Sequence, residues 1–191
     1  MNQPTWTVVK VGGSLFDLPD LRERLRAFLI RLDDPNVLLV PGGGGAADVI
    51  RELDRVHHLG EEASHWLAIE ALSLNTQWLQ VLLPELTIVA DIPIGTNSTG
   101  PFVLQPLPFF RADEGRADHL PHRWEVTSDS LAVRAAVLFK APELILLKSV
   151  AWEGSDWSAA ARAGVVDGYF ARAIQQAPAD LTIRVVNLRS E

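Results

Sequence analysis

Apolar and polar positions follow two rhythms along this chain of 191 residues. Short, almost unbroken apolar runs occupy 6–11, 37–40, 86–90, 144–147 and 181–186. Such runs, bounded by Gly, Pro and polar residues, predict strands buried on both faces. Between them the spacing lengthens. Leu18, Leu21, Leu25, Phe28, Leu29 and Leu32 recur at helical intervals and predict a helix over 18–32. Further helices are expected at 46–56, at 61–83 (with Leu67, Leu72, Leu74 and Leu79, stopped by Pro84), at 128–139 behind Thr127 as cap, and within 159–177. The stretch 91–122 is punctuated by Pro93, Gly95, Gly100, Pro101, Pro106, Pro108 and Pro121. It reads as irregular, with one short strand over 102–104. Strands alternating with helices predict an α/β chain with a largely parallel sheet covered on both faces. No internal repeat or low-complexity linker interrupts it, so residues 1–191 are expected to form one domain.

Composition narrows the function classes. Apolar residues make up 48% of the chain, enough for a substantial core, but no run approaches the roughly 20 residues that cross a bilayer. The net charge of −7 argues against general nucleic-acid binding. The start of the chain enters a strand pattern directly, without a secretory leader pattern, so a cytoplasmic protein with no membrane partner is expected. The absence of cysteine excludes disulfides and thiolate metal sites.

The charged residues carry a more specific signal. Of seventeen basic residues only three are lysines: Lys10, Lys140 and Lys148. Lys10 precedes Val11, Gly12, Gly13 and Ser14, and Lys148 ends the apolar run before Ser149. An ammonium is a compact charge with three donors that can follow a moving phosphoryl group, which a rigid guanidinium fork cannot. Gly42, Gly43, Gly44 and Gly45 follow the second strand. Glycines after strands let successive N–H groups converge on an anion, with a helix N-terminus behind them. In a parallel sheet, ligands bind beyond the carboxyl ends of the strands, where all these segments fall. The spacing is neither a Walker A loop nor a dinucleotide-binding fingerprint. Asp129 starts a helix, where it either favours the helix dipole or aims a lysine. His65 lies mid-helix as a packing or ligand residue. None of the five histidines falls in a zinc or Ser-His-Asp spacing, and no metal ligand is assigned.

In this order Lys10-Val11-Gly12-Gly13-Ser14, Pro41-Gly42-Gly43-Gly44, Thr127-Ser128-Asp129-Ser130-Leu131-Ala132 and Leu146-Leu147-Lys148 resemble the amino acid kinase superfamily of aspartokinases, acetylglutamate kinases, uridylate kinases and isopentenyl phosphate kinases. The resemblance implies a three-layer αβα sandwich and a kinase using ATP with Mg²⁺. It implies that Lys10 and Lys148 neutralise the transferring phosphoryl group and that Asp129 orients them. Gly12, Gly13, Ser14 and Ser149 would meet the nucleotide phosphates; Gly42, Gly43, Gly44, Gly45 and His65 would meet a small phosphate-accepting substrate. Phosphoryl transfer needs chiefly positioning and charge, so this set suffices chemically. The segments 63–72 and 122–130 are most similar to small archaeal-type kinases related to aspartokinase, including one acting on aminomethyl-furanmethyl phosphate in methanofuran biosynthesis. A homodimer is a further implication. The relatives' acidic turn after the late lysine is replaced here by Ser149-Val150-Ala151-Trp152-Glu153-Gly154. A non-catalytic small-molecule or anion binder on the same fold is therefore the alternative.

Overall fold

A computed structural model describes residues 5–91 and 100–191. Pro93 and Gly95 of the irregular stretch lie outside the described residues. Six strands form one sheet: β1 (Thr7–Val11), β2 (Val37–Pro41), β3 (Thr87–Val89), β4 (Phe102–Leu104), β5 (Glu143–Lys148) and β6 (Thr182–Asn187). All pairings are parallel, in the order β3-β4-β2-β1-β5-β6. The helices are α1 (Leu21–Leu32), α2 (Gly44–His57), α3 (Glu61–Leu82), α4 (Pro106–Asp113), α5 (Ser128–Phe139), α6 (Trp157–Arg162) and α7 (Phe170–Gln175). They cover both faces of the sheet, giving a three-layer αβα sandwich.

Strand alternation divides the core. Val8, Leu38, Val40, Leu144 and Leu146 face a cluster that includes Trp66, Ile69 and Leu72 of α3, Phe109 and Phe110 of α4, and the apolar side of α5. Val9, Val11, Leu39, Ile145 and Leu147 face the other, with Leu21, Leu25 and Phe28 of α1. Side chains two residues apart on a strand share a face. Lys10 therefore points to the side of Val8, and Lys148 to the side of Leu144 and Leu146. Both lysines emerge on the face that α5 covers. The register Val11↔Leu147 sets them at the carboxyl ends of adjacent strands. The chain builds outward from β1 through β2 on one side and later adds β5 and β6 on the other. The reversal lies at the β1–β5 seam, where parallel sheets open a crevice for ligands.

Three local expectations are corrected. The stretch 91–122 contains α4, whose Pro106 and Pro108 sit in its first turn, where backbone N–H groups have no helical partner to lose. The pattern over 159–177 is two helices, separated at Gly164 with φ +72. Helix α2 starts at Gly44 rather than at residue 46, so two of the four glycines belong to its first turn.

Candidate active site

A cleft of ≈ 740 Å³ opens at the carboxyl edge of the sheet. Lys10, Gly12, Gly13, Ser14, Gly43, Gly44, Gly45, His65 and Lys148 all line it. Its volume suits a drug-sized or nucleotide-sized ligand.

Asp129 stands between the two lysines, buried beneath the lining to which they contribute. Lys148 Nζ donates to Asp129 Oδ1 at 2.7 Å and Oδ2 at 2.8 Å, and Lys10 Nζ lies 2.9 Å from Oδ1. The three residues are only 4–8% exposed. Burial alone would raise the pKa of Asp129, but Lys10 and Lys148 outweigh it and hold the carboxyl below its ordinary value. Burial and the neighbouring Lys10 push Lys148 down to about 8, against the attraction of Asp129. One carboxylate thus balances two ammonium groups, and the site keeps a positive surplus. Each ammonium has three donors. Lys10 commits one to Asp129 and Lys148 two, so donors remain for an anion entering the cleft.

The start of α5 is anchored from outside the helix. Thr127 is the N-cap residue, as expected, but its side chain makes no cap bond; its hydroxyl and N–H both donate to Asp167, at 2.9 and 3.0 Å. Ser130 donates its N–H to Asp167 Oδ2 at 2.9 Å and its hydroxyl to Oδ1 at 2.6 Å. Burial and the nearby Asp129 raise the pKa of Asp167, while these bonds favour its charged form. Asp167 brackets Asp129 and fixes it toward the lysines. In the sequence it is an unremarkable acid before Gly168; its role needs a contact across 37 to 40 positions.

Glycine is required by loop-to-loop contact. A Cβ on Gly13 would lie 2.2 Å from Gly44 N, and one on Gly42 would lie 2.3 Å from Gly13 N. A Cβ on Gly12 would lie 2.7 Å from the Leu147 carbonyl oxygen. The loops after β1 and β2 touch backbone to backbone, beside the free N–H donors of the first turn of α2. Asn75, buried in α3, donates to the carbonyls of Gly42 and Gly43, both at 2.8 Å. Gly42 itself does not line the cleft; its N–H donates to Val11 O at 2.8 Å. Ser149 also lies off the lining, with its hydroxyl 3.0 Å from that of Ser14.

His65 faces the cleft as a neutral imidazole: burial, with His122 and Arg111 adding, lowers its pKa to about 4. Arg111 lies over the Trp66 ring, 3.5 Å from its centroid. The cations of the outer cleft are Arg51 and Arg123, with Trp124 between α2 and the loop before α5. Arg51 lies 5.5 Å from the Trp124 ring centroid, and Trp124 Nε1 donates to Asp54 at 2.7 Å. Arg123 and Trp124 fall in the 122–130 segment singled out in the sequence, whereas Arg51 lies within α2, the helix that the glycines open.

No family model matches the chain. The [5-(aminomethyl)furan-3-yl]methyl phosphate kinase of Methanocaldococcus jannaschii is 26% identical over 146 residues, covering 75% of this chain. The chain spans 65% of that relative's length. Uridylate kinase from Archaeoglobus fulgidus superposes with a TM-score of 0.63 at 17% identity, over 94% of this chain and 90% of that one. UMP kinase from Bacillus anthracis gives 0.66 at 13% identity, over 98% and 89%. Aspartate kinase from Synechocystis gives 0.61 at 15% identity, over 94% of this chain and 38% of that one. The solved structures share the fold, and the sequence relative is a phosphate kinase.

Proposed function

We propose that this protein, similar in sequence and fold to the amino acid kinase superfamily, is an ATP-dependent kinase of a small phosphate monoester, yielding a diphosphate. The observation that carries the reading is the buried Lys10–Asp129–Lys148 group at the cleft floor. Lys10 and Lys148 would hold the transferring phosphoryl group from its two sides, with Asp129 fixing the spacing of the two ammonium groups. Charge already in place where negative charge develops is the main source of rate in such transfers.

The residues fit a nucleotide. The loops after β1 and β2 pack backbone to backbone at Gly13 and Gly42, with no room for a Cβ, so bare backbone can approach a phosphate beside the first turn of α2. Gly12, Gly13, Ser14 and, through Ser14, Ser149 would hold its phosphates. ATP supplies the phosphoryl group, and Mg²⁺ bound to its phosphates screens their charge. Asp129 is saturated by the lysines, so it holds ammonium groups rather than the ion. Gly43, Gly44 and Gly45 with the first turn of α2 would seat the acceptor. Arg51 and Arg123 supply charge for an acceptor phosphate, Trp124 offers an aromatic face, and His65 a neutral polar contact. That combination suits a phosphorylated small ring, and the M. jannaschii relative's furan phosphate is the first acceptor to try. A role in methanofuran-type cofactor synthesis, in the cytoplasm, is the corresponding setting. Among the described residues no helix is long and apolar enough to cross a membrane.

The reading includes a homodimer built on the outer faces of α2 and α3, where several large apolar side chains are exposed.

The test is ADP release with Mg²⁺-ATP and [5-(aminomethyl)furan-3-yl]methyl phosphate, against UMP and aspartate as alternative acceptors. Acceptor-dependent ADP release is expected. Lys148→Met should lower turnover by roughly 10²–10³-fold, the usual effect of removing one charge-stabilising group. Lys148→Arg should not restore it, because the fork cannot occupy an ammonium's place beside Asp129. Tight nucleotide or phosphate binding with no turnover on any acceptor would favour the non-catalytic binder, for which the altered turn after Lys148 speaks.

A further inference from the structure

Away from the cleft floor, three chain segments meet behind His65. Helix α3 contributes Glu62 from its first turn, the end of α4 contributes Glu114, and the following loop contributes His119 and His122. One ligand atom each from Glu114, His119 and His122 lies within 4.8 Å of the others. The same three residues line a small cavity of ≈ 10 Å³. That is room for about one water-sized occupant.

The hydrogen bonds around the cluster prepare its nitrogens. Trp66 Nε1 donates to Glu62 Oε1 at 2.9 Å, which leaves Glu62 Oε2 to accept from His122 Nδ1 at 2.5 Å. A carboxylate behind one ring nitrogen fixes the tautomer and directs the other toward a metal. His122 Nε2 faces Glu114 Oε1 at 2.8 Å. Only a proton or a cation can reconcile that nitrogen lone pair with the carboxylate. His119 Nδ1 donates to the Leu120 carbonyl at 3.0 Å and lies 3.7 Å from Glu114 Oε1, so the ring sits against the same carboxylate. The His122 ring is held flat by His65, stacked at 4.6 Å and 21°, and edge-on by Trp66 at 4.9 Å.

We infer that Glu114, His119 and His122 form a zinc site, with Glu62 as the outer carboxylate that orients His122. Two borderline imidazole nitrogens with one carboxylate suit Zn²⁺, whereas Mg²⁺ prefers an all-oxygen shell. Water supplies the fourth position on the open side. The ion replaces the proton between His122 and Glu114 and balances two carboxylates. It also staples the loop that continues directly into Arg123 and Trp124, the residues that line the outer cleft. The spacing Glu114-x₄-His119-x₂-His122 is compact in sequence, but the orienting Glu62 comes from 60 positions away.

Isothermal titration of the full, tag-free, chelator-stripped protein with Zn²⁺ tests this without nucleotide. One Zn²⁺ per chain is expected, with Mg²⁺ failing to compete. His119→Ala and Glu114→Gln should each weaken binding at least ~10-fold, and Glu62→Gln by ~10-fold, the usual effect of losing an orienting partner. His57→Ala, an exposed histidine outside the cluster, should bind like the parent. Co²⁺ should give visible absorption of a four-coordinate site in the parent and not in Glu114→Gln, whose fold the smallest change preserves. No stoichiometric Zn²⁺ binding by the parent, or binding unaltered in both Glu114→Gln and His119→Ala, would overturn the site.

Discussion

Asp129 is the residue on which the charge balance of the cleft floor turns. Its two oxygens meet both ammonium groups, at 2.7 to 2.9 Å, in an almost solvent-free position. Asp129→Asn keeps the shape and removes the anion. Two buried ammonium groups then face one another, and the loss should be ~3–5 kcal/mol, the range for breaking a buried pair on one side. Urea denaturation at pH 7 measures it. The deficit should shrink toward pH 9. Lys148 is already held at about 8, below its unfolded value, and without Asp129 falls further. The native state then binds fewer protons than the unfolded one, so stability rises with pH. A deficit equal at both pH values would mean that the lysines do not lean on Asp129. Much of this group was legible in the sequence, because lysine is rare here and parity along β1 and β5 puts both on one face. Asp167 and Asn75 were not legible. Each acts through backbone or hydroxyl groups far away in sequence, and neither residue type carries such a role in its local pattern.

The glycine loop shows how an element can read correctly and still be explained wrongly in part. Four consecutive glycines suggest an anion cradle, yet their demands differ. Gly13 and Gly42 are forced by the contact of two loops, Gly44 by φ +51 and the nearby Phe16 ring, and Gly45 meets nothing within 4 Å. Gly13→Ala should therefore push the β1 and β2 loops apart and abolish nucleotide-dependent thermal stabilisation. Gly45→Ala, in the first turn of α2, should keep that stabilisation and add up to about 0.5–1 kcal/mol through helix propensity. Equal behaviour of the two variants would remove the loop-contact argument. Strands and long helices were legible because their apolar periods span several turns or a whole buried run. Helix α4 was not, since Pro106 and Pro108 read as breakers unless their place in a first turn is known. The division between α6 and α7 hinges on one left-handed glycine, Gly164, whose conformation a pattern of apolar residues does not encode.

At the level of the whole molecule, the long helix α3 divides its apolar residues between the core and the outside. Trp66, Ile69, Leu72 and Leu79 are buried. Leu67, Leu74 and Val81 are exposed by 39, 59 and 81%, and their spacing of seven places them on one line. Trp78 lies beside that line, against Phe16 at 5.0 Å. On α2, which packs alongside α3, Val49, Leu53 and Val56 are exposed as well, at intervals of four and three. Two adjacent helices thus each present a row of exposed apolar residues, where isolated ones would need no explanation. A second copy of the same face is self-complementary about a two-fold axis, which is the symmetry most homodimers use. Trp66 belongs to the core, so the exposed line through Leu67, Leu74 and Val81 carries the argument for the dimer that the resemblance implied. Light scattering at micromolar concentration should give twice 21.0 kDa. Leu74→Glu with Val81→Glu should yield a monomer of unchanged circular dichroism, because both side chains leave the core untouched. A parent that is monomeric at that concentration, or a double variant that remains dimeric, would remove α3 from the interface.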